Sequence, residues 1–232
     1  MRTRMSLLPG FTGTISAIAD VVLGRCCAGC DLPGIALCPT CEGELAPRPR
    51  LRRSLDMDEI AAGLHLPVAC SLDYRTEVRQ ILYRYKDHRI PQLARVLGPS
   101  LAASIDLVAS RAGVHAQEVA LAIVPTRASS AKRRGFDALA AITKVAVSQR
   151  PVASVCTPLA DIRSAGQTKT LGVWERQHHA AGAFHLRGPI PRGPVMIVDD
   201  IVTTGATARE AAATLMLAGA HVIGVAVVAG TP

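Results

Sequence analysis

Aromatic residues are almost missing from this chain: one Trp, three Tyr and three Phe make up 3% of its 232 residues. A surface that stacks successive nucleobases needs more rings, which weighs against sequence-tolerant single-strand binding by stacking. With 49% apolar residues and so few aromatics, the core falls to Ala, Val, Leu and Ile, as in an α/β sheet covered on both faces. Neither G-x-x-x-x-G-K-S/T nor G-x-G-x-x-G occurs, so P-loop and dinucleotide-binding readings lack support. No internal repeat is evident.

Two segments imitate membrane signals. Arg2 and Arg4 precede an apolar stretch, but Pro9, Gly10, Gly13 and Asp20 break it and no small-residue cleavage site stands out. A short amphipathic helix, Thr14–Leu23, is expected there instead. Ala211–Gly230 is almost uncharged and long enough to span a bilayer. Gly219, His221 and Gly224 interrupt it, which predicts a helix, Arg209–Leu217, a turn and a strand, His221–Val228. The expectation is a cytoplasmic protein without membrane contact.

The length allows one sizeable core plus a small appendage. A formal charge of +8 favours anionic partners, phosphorylated ligands or nucleic acid, with solvated basic faces as the plainer alternative.

Seven cysteines are unevenly spread, five of them between Cys26 and Cys41. Cys27-x-x-Cys30 and Cys38-x-x-Cys41 form two close thiolate pairs, and each pair can hold one side of a tetrahedral Zn²⁺ with sulfurs about 2.3 Å from the metal. Pro33-Gly34 supplies a turn that brings the pairs together. Without a secretion signal, metal is favoured over disulfides, which remain the alternative. Four thiolates leave no open position, so the Zn²⁺ would be structural. Cys26 can replace Cys27 with slightly different geometry. Cys70 and Cys156 sit in apolar surroundings, as core residues do. Ala46–Arg53 then reads as a Pro/Arg connector, its arginines (48, 50, 52, 53) either solvated or facing nucleic acid. The module boundary is expected near Leu55.

Pro67–Leu72 and Val119–Val124 read as strands, while Tyr74–Tyr85, Ile90–Ala109 and Ala138–Val147 read as helices. Arg75, Arg79, Arg84 and Lys86 form the basic face of the first helix. The most informative stretch is Val195–Glu210, VMIVDDIVTTGATARE. Val195–Val198 is a short buried strand, Asp199 and Asp200 follow where it should leave the sheet, and Thr203-Thr204-Gly205-Ala206-Thr207 makes a hydroxyl-rich turn into a helix. Unpaired N–H groups and the positive dipole end at such a turn bind anions. Paired acids before it suit a ligand with both a phosphate and a diol, held directly or through Mg²⁺. An ordinary strand–turn–helix with an Asp cap explains neither the adjacent acids nor the three threonines. Pro125-Thr126-Arg127 and Lys132-Arg133-Arg134 form a second strand–loop–basic element, a further anion site or an unrelated basic loop. Arg163–Lys169 is small and polar and is expected to be mobile. His178 and His179 have no acid or cysteine at ligand spacing and read as solvent-facing.

The stretch 195–207 resembles the phosphoribosyl-pyrophosphate (PRPP) motif of type I phosphoribosyltransferases. From about Ile18 to Gly230 the chain resembles the ComF family, phosphoribosyltransferase-like proteins linked to bacterial competence. That resemblance rests on the double CxxC, Tyr85-Lys86, Val124-Pro125, Arg134-Gly135-Phe136, Glu175-Arg176 with Gly182-Ala183-Phe184, and VDDIVTTGAT. It implies a type I phosphoribosyltransferase fold over 56–232, a mostly parallel sheet flanked by helices, with a helix, a zinc-ribbon-like module and a basic linker over 1–55. It further implies a PRPP ligand with Mg²⁺, and phosphoribosyl transfer to an unidentified acceptor with release of pyrophosphate. Asp199 and Asp200 would be catalytic and orient the ribose, Thr203–Thr207 would hold the 5-phosphate, and Pro125, Thr126, Arg127, Arg133 and Arg134 would receive pyrophosphate. Two alternatives follow from the same resemblance: a DNA-uptake accessory that binds single-stranded DNA or other competence proteins, and a PRPP sensor without turnover. The chain departs from the family pattern after Phe136, where Asp137-Ala138 stands in place of Asn-Gln, and at His179, where the family has Asn. Phosphoribosyltransferases acting on 6-oxopurines usually carry an acid where Thr203 stands, which disfavours those acceptors.

Overall fold

The computed structural model describes residues 26–52, 54–88, 90–125, 136–161 and 184–231. The expected Thr14–Leu23 helix lies outside them. Five parallel strands form the centre: β4 (Val68–Asp73), β5 (Ala120–Ile123), β6 (Ser154–Cys156), β9 (Pro194–Val202) and β10 (His221–Gly230). The short β1 (Arg50–Leu51) pairs antiparallel with β4, giving the order β1-β4-β10-β9-β5-β6. Near-continuous Val, Ile and Ala runs suit this arrangement, because helices cover both faces of a parallel sheet.

Side chains alternate across the strands and divide the core. Met196, Val198, Ala226 and Val228 face α2 (Thr76–Asp87), α3 (Ala94–Arg111) and α4 (Ala138–Gln149), among Ile81, Leu101 and Ile142. Val195, Ile197, Val225 and Val227 face α5 (Ala206–Leu217), against Ala211 and Leu215. The chain is thus an α/β protein with a mostly parallel sheet flanked by helices. The expected helix from Ile90 opens instead with a 3-10 turn, Pro91–Leu93, because proline fixes its own φ and offers no N–H. The helical span Pro91–Arg111 is long and apolar enough to cross a membrane, yet it is mostly buried here. Ser104 ties it to the sheet, donating to the Val227 carbonyl across 2.8 Å. Ala211–Gly230 divides into α5 and β10 as its glycines suggest.

Three small elements complete the frame. A hairpin pairs β2 (Leu55–Asp56) with β3 (His65–Leu66), and a ribbon pairs β7 (Leu159–Asp161) with β8 (Phe184–Leu186). The cysteine module carries one short helix, α1 (Pro39–Gly43). This module is not a separate globule: Cys27, Ala28, Cys38, Cys41 and Leu45 share the core cluster of Ile81, Leu97 and Leu101. The connector is tied to the sheet edge as well. The N–H groups of Arg48 and Arg52 donate to the Ser71 and Val68 carbonyls, and Arg50 and Arg52 both pair with Asp73.

Candidate functional site

The carboxyl ends of β9, β10 and β5 form the edge where the acids sit. β9 does not stop at Val198: its ladder with β10 continues through Asp199↔Val227 to Val202↔Gly230. The expectation that the strand ends before the acids is thereby corrected, since a long apolar neighbour keeps offering hydrogen bonds. Strand alternation sends the two acids opposite ways. Asp199 follows Val195 and Ile197 toward α5, whereas Asp200 follows Met196 and Val198 toward α2. The Asp200 N–H donates to Asp199 Oδ1 across 2.8 Å. On its side Asp200 meets Lys86 of α2, with Nζ 2.6 Å from Oδ2 and both side chains mostly buried. Burial pushes the Asp199 carboxyl up to about 8; the Asp200 charge adds to this, while the Asp200 N–H and the Lys86 ammonium pull it back.

The turn after β9 is built around Gly205, the N-cap of α5, at φ 82°. This left-handed conformation favours glycine. An added Cβ would also lie 2.7 Å from Leu55 Cδ2. The helix begins at Ala206, three residues earlier than the expected Arg209, so Ala206 and Thr207 belong to its first turn, whose N–H groups have no partner within the helix. Thr204 Oγ1 accepts from the Ala206 N–H at 3.4 Å, and the Thr203 carbonyl accepts from Thr231 Oγ1 at 3.2 Å. Asp199, Thr203, Thr204, Gly205, Ala206 and Thr207 line one crevice of 40 Å³ with Ile201, Val202, Ala208 and Val227. Arg209, one turn along, is held outward by Glu59 through two bonds of 2.8 and 2.7 Å.

Pro125 follows β5 at the same sheet edge, where the preceding Val124 N–H donates to the Val198 carbonyl at 3.0 Å. Thr126, Arg127, Arg133 and Arg134 lie outside the described residues, as do Arg53, Arg163–Lys169, His178 and His179. At the far side of that connection Asp137 caps α4, its Oδ1 accepting from the Ala140 N–H at 3.1 Å. Lys86 is the residue that the pattern of charges did not single out. Helical periodicity places it on a basic face with Arg75, Arg79 and Arg84, and nothing in that periodicity marks the cation that, among the described residues, reaches the acids. Only the Tyr85-Lys86 resemblance pointed toward it.

The four cysteines meet in the module, the Sγ atoms of Cys27, Cys30, Cys38 and Cys41 all lying within 4.8 Å of one another. Backbone N–H groups of Gly29 and Cys38 point at Cys27 Sγ (3.4 and 3.3 Å), and that of Cys41 at Cys38 Sγ (3.5 Å). Donors aimed at sulfur stabilise thiolate: burial alone would raise Cys27, but the N–H groups of Cys38, Cys30 and Gly29 bring it down to about 6. Burial and the neighbouring thiols push Cys41 the other way. Four soft sulfurs at this spacing fit a tetrahedral Zn²⁺. Cys26 stays outside the cluster on an exposed bridge to Pro33, so it does not replace Cys27. Cys70 is buried in the core, where its Sγ accepts from Arg52 Nε at 3.1 Å; Cys156 is partly buried.

A wider cavity of about 340 Å³ is elsewhere, lined by Arg52, Ser54, His65, Pro67, Arg111 and Ile223 among others. Pro67 and Ile223 lie at the amino ends of β4 and β10, opposite the acids. The paired acids therefore do not line this wider cavity.

No family model and no curated protein matches the chain. Among solved structures, it is similar to the allosteric regulatory enzyme of purine biosynthesis at 20% identity and TM-score 0.31, over 57% of this chain and 26% of that one. It is also similar to orotate phosphoribosyltransferase from Aeropyrum pernix at 15% identity and TM-score 0.33, over 82% of this chain and 89% of that one. Likeness this distant leaves the function to be read from the site.

Proposed function

We propose that the chain is a PRPP-binding, phosphoribosyltransferase-like protein of the ComF kind. What carries this reading is the crevice at the end of β9, where Asp199 and the turn 203–207 line one hollow at a helix N-terminus. The first-turn N–H groups of α5 and the hydroxyls of Thr203, Thr204 and Thr207 suit a 5-phosphate. Asp199 and Asp200 suit the ribose hydroxyls, as acceptors of their O–H groups.

The reaction would be displacement at C1 of the sugar. A bond from the acceptor forms at C1, the bond to pyrophosphate breaks, and the leaving group departs with the electron pair. Asp199 and Asp200 would fix the ring, and the 5-phosphate grip supplies remote binding energy for orienting C1. The hard carboxylate oxygens of Asp199 and Asp200 fit Mg²⁺, which would withdraw charge from the leaving pyrophosphate. The Cys27, Cys30, Cys38 and Cys41 sulfurs would hold zinc in a structural role. Pro125, Thr126, Arg127, Arg133 and Arg134 would form the pyrophosphate side of the site.

Calorimetric titration of the zinc-replete protein with PRPP and Mg²⁺, beside an Asp199→Asn/Asp200→Asn variant, tests the reading. Binding by the intact protein that vanishes in the variant supports it, and pyrophosphate release on adding candidate bases would then identify the acceptor. Absence of binding by the intact protein overturns it.

A further inference from the structure

Within its last two turns α2 touches three parts of the molecule. Arg84 donates to the Cys27 carbonyl across 2.6 Å and pairs with Asp31, which fastens the helix to the cysteine module. Tyr85 is fully buried; its ring meets Phe136 edge-on with centroids 5.7 Å apart, and its hydroxyl donates to the Ala138 carbonyl at 2.6 Å. Phe136 and Ala138 stand where the chain returns from the connection that leaves β5 at Pro125. Lys86 comes next and reaches Asp200 at 2.6 Å. The residue before it, Tyr85, is locked to Phe136 and Ala138 at the start of α4, so the ammonium is held beside the acids.

An ammonium here balances the Asp200 charge, which explains why Asp200 tolerates a mostly buried place beside Asp199. A ligand with a diol competes for the same carboxylate oxygens. Hydroxyls donating to Asp200 share its oxygens and weaken its hold on the ammonium, so a mostly buried cation there gains from a second anion. On a phosphoribosyl ligand the anion next to C1 is the diphosphate, and Lys86 carries three donors for it.

We infer that Lys86 is a fixed pyrophosphate-side cation, held on Asp200 in the free protein and handed to the diphosphate when the ribose takes its place. This rests on the phosphoribosyl reading above and adds to it a ligand contact from the helix that also carries the cysteine module. It makes Lys86 specific for the diphosphate end of the ligand, which a merely charge-balancing lysine would not be.

Titration of the full chain with PRPP and Mg²⁺, and separately with ribose 5-phosphate, separates these roles. Lys86→Gln should weaken PRPP by about tenfold or more, the loss expected for one charge-assisted bond, and leave ribose 5-phosphate within about threefold. Lys86→Arg, which keeps the charge, should stay within about threefold for both. Equal weakening of both ligands by Lys86→Gln, or of neither, overturns the inference. A wild-type protein that binds neither ligand overturns the phosphoribosyl reading itself, a result seen before any variant is made. Acetylation of Lys86 in the wild-type protein, followed by mass spectrometry, gives a test independent of variant folding. PRPP with Mg²⁺ should protect Lys86, whereas ribose 5-phosphate should not; labelling unchanged by PRPP overturns the assignment.

Discussion

Asp199 and Asp200 are neighbours in the chain but face opposite sides of the sheet, with the Asp200 N–H donating to Asp199 Oδ1 at 2.8 Å. Each acid therefore has its own surroundings. Asp200 has Lys86, whereas Asp199 looks into the crevice beside the turn and carries the raised pKa.

That asymmetry predicts a trade between stability and binding. A carboxyl whose folded pKa is raised holds a proton that the unfolded chain gives up, so the folded state loses stability as pH rises from the usual carboxylate range to about 8. Asp199→Asn removes the buried charge, and its amide oxygen still accepts the Asp200 N–H. At pH 8 the variant should melt about 2–4 °C above wild type, the shift that roughly 1 kcal/mol gives at this length. The gain should shrink toward pH 5, and PRPP binding should be lost. Melting curves from pH 5 to 9 check the sign; a variant less stable than wild type at pH 8 contradicts it.

Gly205→Ala tests the phosphate turn. The left-handed φ and the approach of Leu55 both oppose a Cβ. A cost of about 1–3 kcal/mol is expected. Because the strain falls on the N-terminus of α5, affinity for ribose 5-phosphate should drop more than the melting temperature alone implies. Pairing the substitution with Leu55→Ala relieves the clash but not the φ, so recovery should be partial.

Long elements were legible in the sequence because their periodicity repeats often enough to be read. The four apolar runs that became β4, β5, β9 and β10 stood out for that reason, as did α3 and the division of Ala211–Gly230. β6 and β7, three residues each, were not among the expected strands, since two alternations carry no signal. β1 was hidden by Pro and Arg, which mark a linker in sequence but serve an edge strand here. The crevice residues follow from the stretch 195–207 itself. The Lys86–Asp200 pair does not, because it joins positions 114 residues apart in number and depends on how α2 packs. Cys27 rather than Cys26 became readable only once the backbone turned Cys26 outward.

The cysteine module predicts a coupled loss of metal and fold. A Cβ on Gly29 would lie 2.5 Å from Cys41 Sγ, so Gly29→Ala must displace one of the four sulfurs. Zinc content by atomic emission should fall in the variant, and its melting temperature with it. Chelation of the wild-type protein should produce a similar drop, because Cys27 and Cys41 lie in the same core cluster as Ile81 and Leu97. Metal retained at full stoichiometry in Gly29→Ala would refute the crowding.

Asp137 offers a prediction about the departure after Phe136. Its side chain accepts from the Ala140 N–H at 3.1 Å and caps α4, the helix whose Ala138 carbonyl receives the Tyr85 hydroxyl. Asparagine caps a helix about as well as aspartate, whereas alanine does not. Asp137→Asn should therefore leave the melting temperature nearly unchanged, and Asp137→Ala should lower stability by about 1 kcal/mol, a drop of about 2–4 °C. Because capping alone accounts for either residue, the two variants separate fold from ligand. If Asp137→Asn strengthens PRPP binding at constant stability, the amide acts on the ligand; if binding is unchanged, the position serves α4 and, through Ala138, the anchoring of Tyr85.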